Sequence, residues 1–216
     1  YYSRPSGGRH RFALAYPNSY FVGMSNLGLH IVYRLLNERQ DTACERVFLP
    51  ERKQQQAYEK ARQPLMTMES QTGLNRFDII GFVVSFEMDY FNILRTLELG
   101  KVVPMAADRG EQDGLVIGGG PCATFNPEPL SLFFDAFIIG EGEAVLPGFM
   151  DVYHAKKLAG AGRQEILEAL SHVPGVYVPL RQVADVTPSW QPIGLAHLGG
   201  EQSITVFADM RRGNSQ

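Results

Sequence analysis

The chain has 216 residues, 44% hydrophobic and 20% charged, with a net charge of −3; that is enough apolar material for a sizeable core, and it gives no bulk charge-based case for binding nucleic acid or an anionic membrane. Its two cysteines, Cys44 and Cys122, lie far apart, which excludes a disulfide scaffold and a self-contained thiolate metal site and fits a reducing, cytoplasmic setting. No apolar run approaches the roughly 18 residues of a membrane span, and no secretory signal is visible.

In chain order, the polar, glycine-rich residues 1–10 read as a mobile arm. "RFALAYP" is a first strand, ended by Pro17. Residues 25–37 read as a helix, with Leu27, Ile31 and Leu35 on one face. "CERVFLP" is a second strand, "ERKQQQAYEKARQ" a charged helix and "PLMTMES" a short edge strand. "FDIIGFVVSF" has almost no in–out alternation, as a central parallel strand buried on both faces requires. "DYFNILRTLELG" is a helix closed by Gly100, and "VVPMA" a further strand. "GLVIGGG" is a strand running into glycines, and "NPEPLSLFF" a short helix. "FDAFIIG" is a strand, and "EGEAVLPGFMDVYHAKKLAG" opens a helix with acids at its N-terminus, as the dipole favours.

This alternation predicts an α/β fold, a doubly wound, mostly parallel Rossmann-like sheet over residues 11–157. A helix, "RQEILEALSHV", and a hairpin, "GVYVPLRQVADV", form an extension over 158–186. Residues 187–216 read as a linker and a last strand, "SITVFADM", that opens something new. The start at Tyr1 and the end at "MRRGNSQ" read as a piece of a longer polypeptide or a processed chain.

In such sheets a ligand sits beyond the carboxyl ends of the strands. Four loops should meet there: Asn18, Ser19, Tyr20 and Gly23 after the first strand; Ser85 to Met88 after the central one; Gly118, Gly119, Gly120 and on to Thr124 after the next; Gly140, Glu141, Gly142 and Glu143 after the last. They offer glycines, hydroxyls and carboxylates but almost no positive charge. There is no GxGxxG after the first strand and no GxxxxGK[ST] anywhere. The lining suits a large, near-neutral, amide-decorated ligand better than one rich in phosphate.

Each feature also has a purely structural reading. The glycine triplet can serve a tight turn, and Glu141 and Glu143 can be helix-capping acids. Cys122 reads as a small buried residue, and His30 as structural. His10, His154, His172 and His197 are scattered, with no metal-site spacing. No Ser lies in a GxSxG elbow, so no Ser-His-Asp triad can be argued.

"NSYFVG" has the spacing of the cobalamin-domain loop motif DxHxxG, with Asn18 at the Asp position, Tyr20 at the His position and Gly23 at the Gly position. Ser85 stands at the serine of the SxL motif, with Glu87 in place of Leu, and Gly119–Gly120 stand at the later GG. "GGGPCATFNPEPL…FDAFIIGEGEAVLP" is more specific still. The chain resembles the N-terminal cobalamin (B12)-binding-like domain of B12-binding-type radical SAM proteins, a subgroup of Fe-S oxidoreductases of unknown substrate, over residues 11–157 and more weakly to 213.

The resemblance implies that Asn18, Ser19, Tyr20, Ser85, Gly119, Gly120 and Thr124 contact corrin amides or the nucleotide tail. Glu141 and Glu143 would face the same cavity or a neighbouring catalytic domain. It implies as partner a radical SAM domain of the same parent chain, which would hold a 4Fe-4S cluster and S-adenosylmethionine and act on an unknown substrate. Two departures stand out. A Tyr phenol, with a pKa near 10, is a poor cobalt ligand, so Tyr20 implies cobalamin bound without a protein ligand to the metal, or no cobalamin at all. Where the family has the "RGC" that opens CxxxCxxC, this chain has Arg212-Gly213-Asn214, so it is not catalytic alone; trimming and degeneration both remain open. The alternatives are a non-catalytic domain positioning a substrate or partner, with the cofactor lost, and a flavodoxin-like domain binding a flavin.

Overall fold

The computed structural model describes residues 7–183 together with the short stretches 197–198 and 201–202. The expectations for residues 1–6, for the linker at 187–196 and for the strand at 203–210 lie outside the described residues. Five strands run parallel: β1 (His10–Tyr16), β2 (Thr42–Phe48), β3 (Ile79–Val83), β4 (Leu115–Gly119) and β5 (Ala136–Ile138). A sixth, β6 (Val176–Tyr177), joins β5 antiparallel, and the order across the sheet is β2-β1-β3-β4-β5-β6. The winding reverses between β1 and β3, as a doubly wound sheet requires. Register places Leu14 beside Gly81, and Gly81 beside Ile117.

Period-two alternation divides the strands' side chains between two cores. Phe12, Leu14, Tyr16, Ile79 and Ile117 face helices α2 (Leu27–Glu38), α6 (Gly142–Leu158) and α7 (Arg163–Ser171). Ala13, Ala15, Ile80, Phe82 and Val116 face the other layer, which includes α4 (Tyr90–Leu99). Each fully buried Leu, Ile or Phe contributes about 1.5–3 kcal/mol. Short helices α1 (Tyr20–Met24) and α5 (Pro121–Phe125) begin just beyond β1 and β4. The charged helix α3 (Arg52–Ala61) follows β2, and α8 (Leu180–Val183) follows β6.

Several local expectations are corrected. α2 starts at Leu27, capped by the Asn26 side chain, which accepts from Leu29 N at 2.9 Å. It buries Leu29, Tyr33 and Leu36, with Leu35 partly buried against the same core, while Leu27 is exposed. This helix is apolar around most of its circumference, and Tyr33, under the Arg46 guanidinium at 4.5 Å, helps fix the inward face. The segment around Pro104 is no strand: the Arg109 guanidinium donates to Val103 O at 2.9 Å and to Pro104 O at 2.8 Å. "PLMTMES" makes one bridge, Met66 to Gly73, and Met68 N donates to Arg46 O at 2.8 Å along the outer side of β2. "NPEP" forms a single 3-10 turn, Glu128–Leu130. The expected hairpin is instead one strand paired with β5 and a helical turn, Leu180–Val183.

Candidate functional site

A groove of about 510 Å³ opens at the carboxyl edge of the sheet, between α2 and the start of α6. That volume is in the range of small-molecule sites. Leu14, Gly81, Val83, Ile117 and Gly119 floor it, and Gly28, Val32, Gly142 and Leu146 wall it. Asn26, Ser85, Gly120, Thr124, Phe125, Glu141 and Glu143 lie around the mouth, past strand ends or at helix starts.

Gly81 makes room for the Phe12 ring, which a Cβ there would meet at 2.7 Å; Gly119 and Gly142 leave space in the groove. A Cβ at Gly119 would be in ordinary contact, 3.5 Å from the Ile138 Cβ, so a larger side chain there would occupy the groove. One at Gly142 would sit 3.5 Å from Val32 Cγ2, closing the gap between the two helices. Gly120 has φ 102°, and a Cβ there would lie 2.9 Å from Val84 O, so backbone approach and backbone angle both require glycine.

Eight of the twelve residues expected from sequence line this groove: Ser85, Gly118, Gly119, Gly120, Thr124, Glu141, Gly142 and Glu143. Gly118 does so through its backbone, since a Cβ would point at Phe134 and Phe137, 3.0 Å away on the opposite face. Thr124 Oγ1 accepts from Gly140 N at 3.0 Å and ties two of the loops together. Glu141 precedes α6 without capping it through its side chain, and Glu143 lies in its first turn.

The first loop is used differently. Asn18 Nδ2 donates to Asp89 Oδ1 at 3.0 Å, its Oδ1 accepts from Ser19 N at 2.8 Å, and its carbonyl accepts from Leu49 N at 3.0 Å. Ser19 precedes α1 and accepts from Gly23 N at 3.0 Å through its backbone carbonyl. The Tyr20 ring is 48% exposed and meets Phe48 edge-on at 5.3 Å. A Cβ at Gly23 would collide with Phe48, 2.4 Å away. None of these four lines the groove. The contribution from that side comes from Asn26 and Gly28, which sequence reading missed. The signal was present: a glycine in the first turn of a helix costs stability unless something must come close. Asn26 Nδ2 reaches Ser85 Oγ at 3.4 Å across the mouth.

The lining contains no Lys, Arg or His. Burial, followed by Glu87 and Asp89, pushes the Cys122 thiol up, the opposite of an activated nucleophile. His30 shares a hydrogen bond with Met24 O at 2.9 Å. His10 and His154, read as scattered, meet at 2.8 Å across the opposite edge of the sheet because β1 and α6 pack there. Among the described residues no group of three or more His, Cys, Asp or Glu is placed to hold a metal ion, and no helix is long and apolar enough to cross a membrane.

A ring of exposed apolar side chains surrounds the same edge: Phe21 on α1, Leu27 at the start of α2, Phe86 and Met88 after β3, Phe91 on α4 and Phe125 on α5.

A family model described as radical SAM proteins, N-terminal, matches residues 28–179, more than half of the chain. The chain is also similar to an uncharacterized protein of Methanocaldococcus jannaschii, 30% identical over 132 residues, covering 61% of this chain and 24% of that protein. It therefore spans about a quarter of the length of that relative. No solved structure matches it.

Proposed function

The chain belongs to the N-terminal family of radical SAM proteins, and from that premise we propose that its groove holds a corrinoid, making it an accessory domain that serves a catalytic radical SAM domain rather than acting alone. One observation carries this reading: a glycine-floored groove of about 510 Å³ at the carboxyl edge, with hydroxyls, the Asn26 amide and the Glu141 and Glu143 carboxylates at its mouth and no cationic side chain. Gly28, Gly119 and Gly142 would let a flat tail approach the backbone, and the polar mouth suits an amide-decorated ring. Those residues fit the group.

Asn26, Ser85, Thr124 and the backbone around Gly120 would hold the polar periphery of a bound corrinoid, and the aliphatic walls would exclude water from its tail. Cobalt would supply methyl-carrying chemistry when present. The chain offers no protein ligand to that metal from its first loop, because the Tyr20 ring lies against Phe48. The 4Fe-4S cluster and S-adenosylmethionine belong, in this reading, to the partner domain of the parent chain.

The exposed apolar ring favours a second reading, a face that positions a partner or substrate with the corrinoid lost. Mixing the chain with hydroxocobalamin and recording the visible spectrum after desalting separates the two. The corrinoid reading expects a retained corrin band with a base-off or altered spectrum. A colourless chain with an unchanged melting temperature overturns it.

A further inference from the structure

Resting on the corrinoid reading, we infer that the groove discriminates among corrinoids by the base that ends the nucleotide tail, accepting a benzimidazole and rejecting a purine. The inner end of the groove is lined by Leu14 and Ile117 from the strands, Val32 and Leu146 from the helices, and glycines of β3 and β4. None of these side chains donates or accepts a hydrogen bond. The strand backbone beneath them is engaged in the β1-β3-β4 ladder. The polar side chains, Asn26, Ser85, Thr124, Glu141 and Glu143, all stand at the mouth.

A purine pushed into this space carries several ring nitrogens and an exocyclic amine past those groups to a place with no partner for them. A benzimidazole brings one free ring nitrogen and an otherwise hydrocarbon edge. Leaving a buried donor or acceptor unpaired is the stronger discriminator available to a site, stronger than a missing methyl contact. The expected preference is at least tenfold. Its geometric source is the polarity gradient from mouth to floor.

The experiment titrates the 216-residue chain with three corrinoids, following the corrin absorbance: hydroxocobalamin, which ends in dimethylbenzimidazole; the adeninyl cobamide; and cobinamide, which has no tail. The inference expects cobalamin to bind at least tenfold more tightly than either of the others. Equal binding of all three overturns it while leaving the corrinoid reading standing. Equal binding of cobalamin and the adeninyl form, both above cobinamide, also overturns it and keeps the groove as a tail site. Failure of all three to bind overturns both. As a second measurement, Val32→Gln places an amide in the wall. It is expected to narrow the gap between adeninyl cobamide and cobalamin by several-fold; an unchanged ratio in a folded variant counts against the inference.

Discussion

Asp78 and Asp135 each stand immediately before a strand, and each carboxylate takes a backbone N–H from the strand alongside: Arg11 N at 2.7 Å and Val116 N at 2.6 Å. At the far end of the same strands stand Gly119, Gly120 and Gly140, with no ion pair among the described residues that line the groove. The amino edge is held by charge. Arg109 pairs with Asp135 at 2.9 Å, Arg163 approaches the other oxygen at 2.7 Å, and Arg39 holds Asp41 at 2.7 Å. The carboxyl edge is held by backbone geometry and small residues. A fixed charge is a strong anchor and a poor host for a neutral ligand, so the difference separates the end that fastens the fold from the end that can receive something.

The largest test of this division is Asp135→Asn. The side chains of both Arg109 and Asp135 are fully buried, and removing one partner of such a pair costs about 3–5 kcal/mol. Urea denaturation should show a loss of that size, and, on the proposed corrinoid reading, the variant that remains folded at low temperature should still take up hydroxocobalamin. A loss below about 1 kcal/mol would remove the amino edge from its anchoring role.

Gly119→Val probes the other end with the effect reversed. Valine suits a strand, and its Cβ meets only Ile138 at ordinary contact distance, so stability should change by less than about 1 kcal/mol. Its methyl groups occupy the groove floor, so cobalamin affinity should fall at least tenfold in the same absorbance titration. A variant that melts normally and binds normally would show that the groove is not where the ligand lies.

The division also explains what could be read from sequence. The central parallel strands were legible because buried strands leave long apolar runs, and the loops after β4 and β5 were legible as glycine-rich strand ends. The amino edge was not. Arg109 and Asp135 are 26 residues apart, and His10 and His154 are 144 apart, so only the folded sheet brings them together. Asn18 and Tyr20 lie outside the groove for a related reason. A polar loop after a first strand has the composition of a binding loop, yet Asp89, 71 residues onward, takes the Asn18 amide. Local composition cannot reveal a distant acceptor that competes for the same donor.

A smaller effect comes from pH, again at the amino edge. Burial, with His154 and Lys157, holds His10 below the usual imidazole range, while Asp78 and Asp41 act the other way. The unfolded chain therefore binds a proton more readily than the folded one. Stability is complete above about pH 6.5 and falls as the pH drops from there toward the folded value, then levels off. Asp41 adds a separate step: Arg39 holds it at about 2, so its contribution is present above about pH 4 and is lost as the pH falls toward 2. Denaturation midpoints at pH 7.5 and 5.5 should differ less in His10→Gln than in the unaltered chain. An equal difference in both would mean that His10 is not the source of this pH dependence.

The smallest expected effect is also the most discriminating about the ligand. On the proposed corrinoid reading Tyr20 would stand at the histidine position of the DxHxxG motif, but its ring rests on Phe48, outside the groove. Removing its hydroxyl by Tyr20→Phe keeps that aromatic contact and takes away the one atom that could approach a metal. If cobalt is held without a protein ligand from this loop, the retained corrin spectrum should be superimposable on that of the unaltered chain, with stability within about 0.5 kcal/mol, as for a surface substitution away from special features. A shifted spectrum would mean that α1 moves when ligand binds and brings the phenol oxygen to the metal. The carboxyl edge would then be an edge that rearranges around its guest, not one already shaped for it.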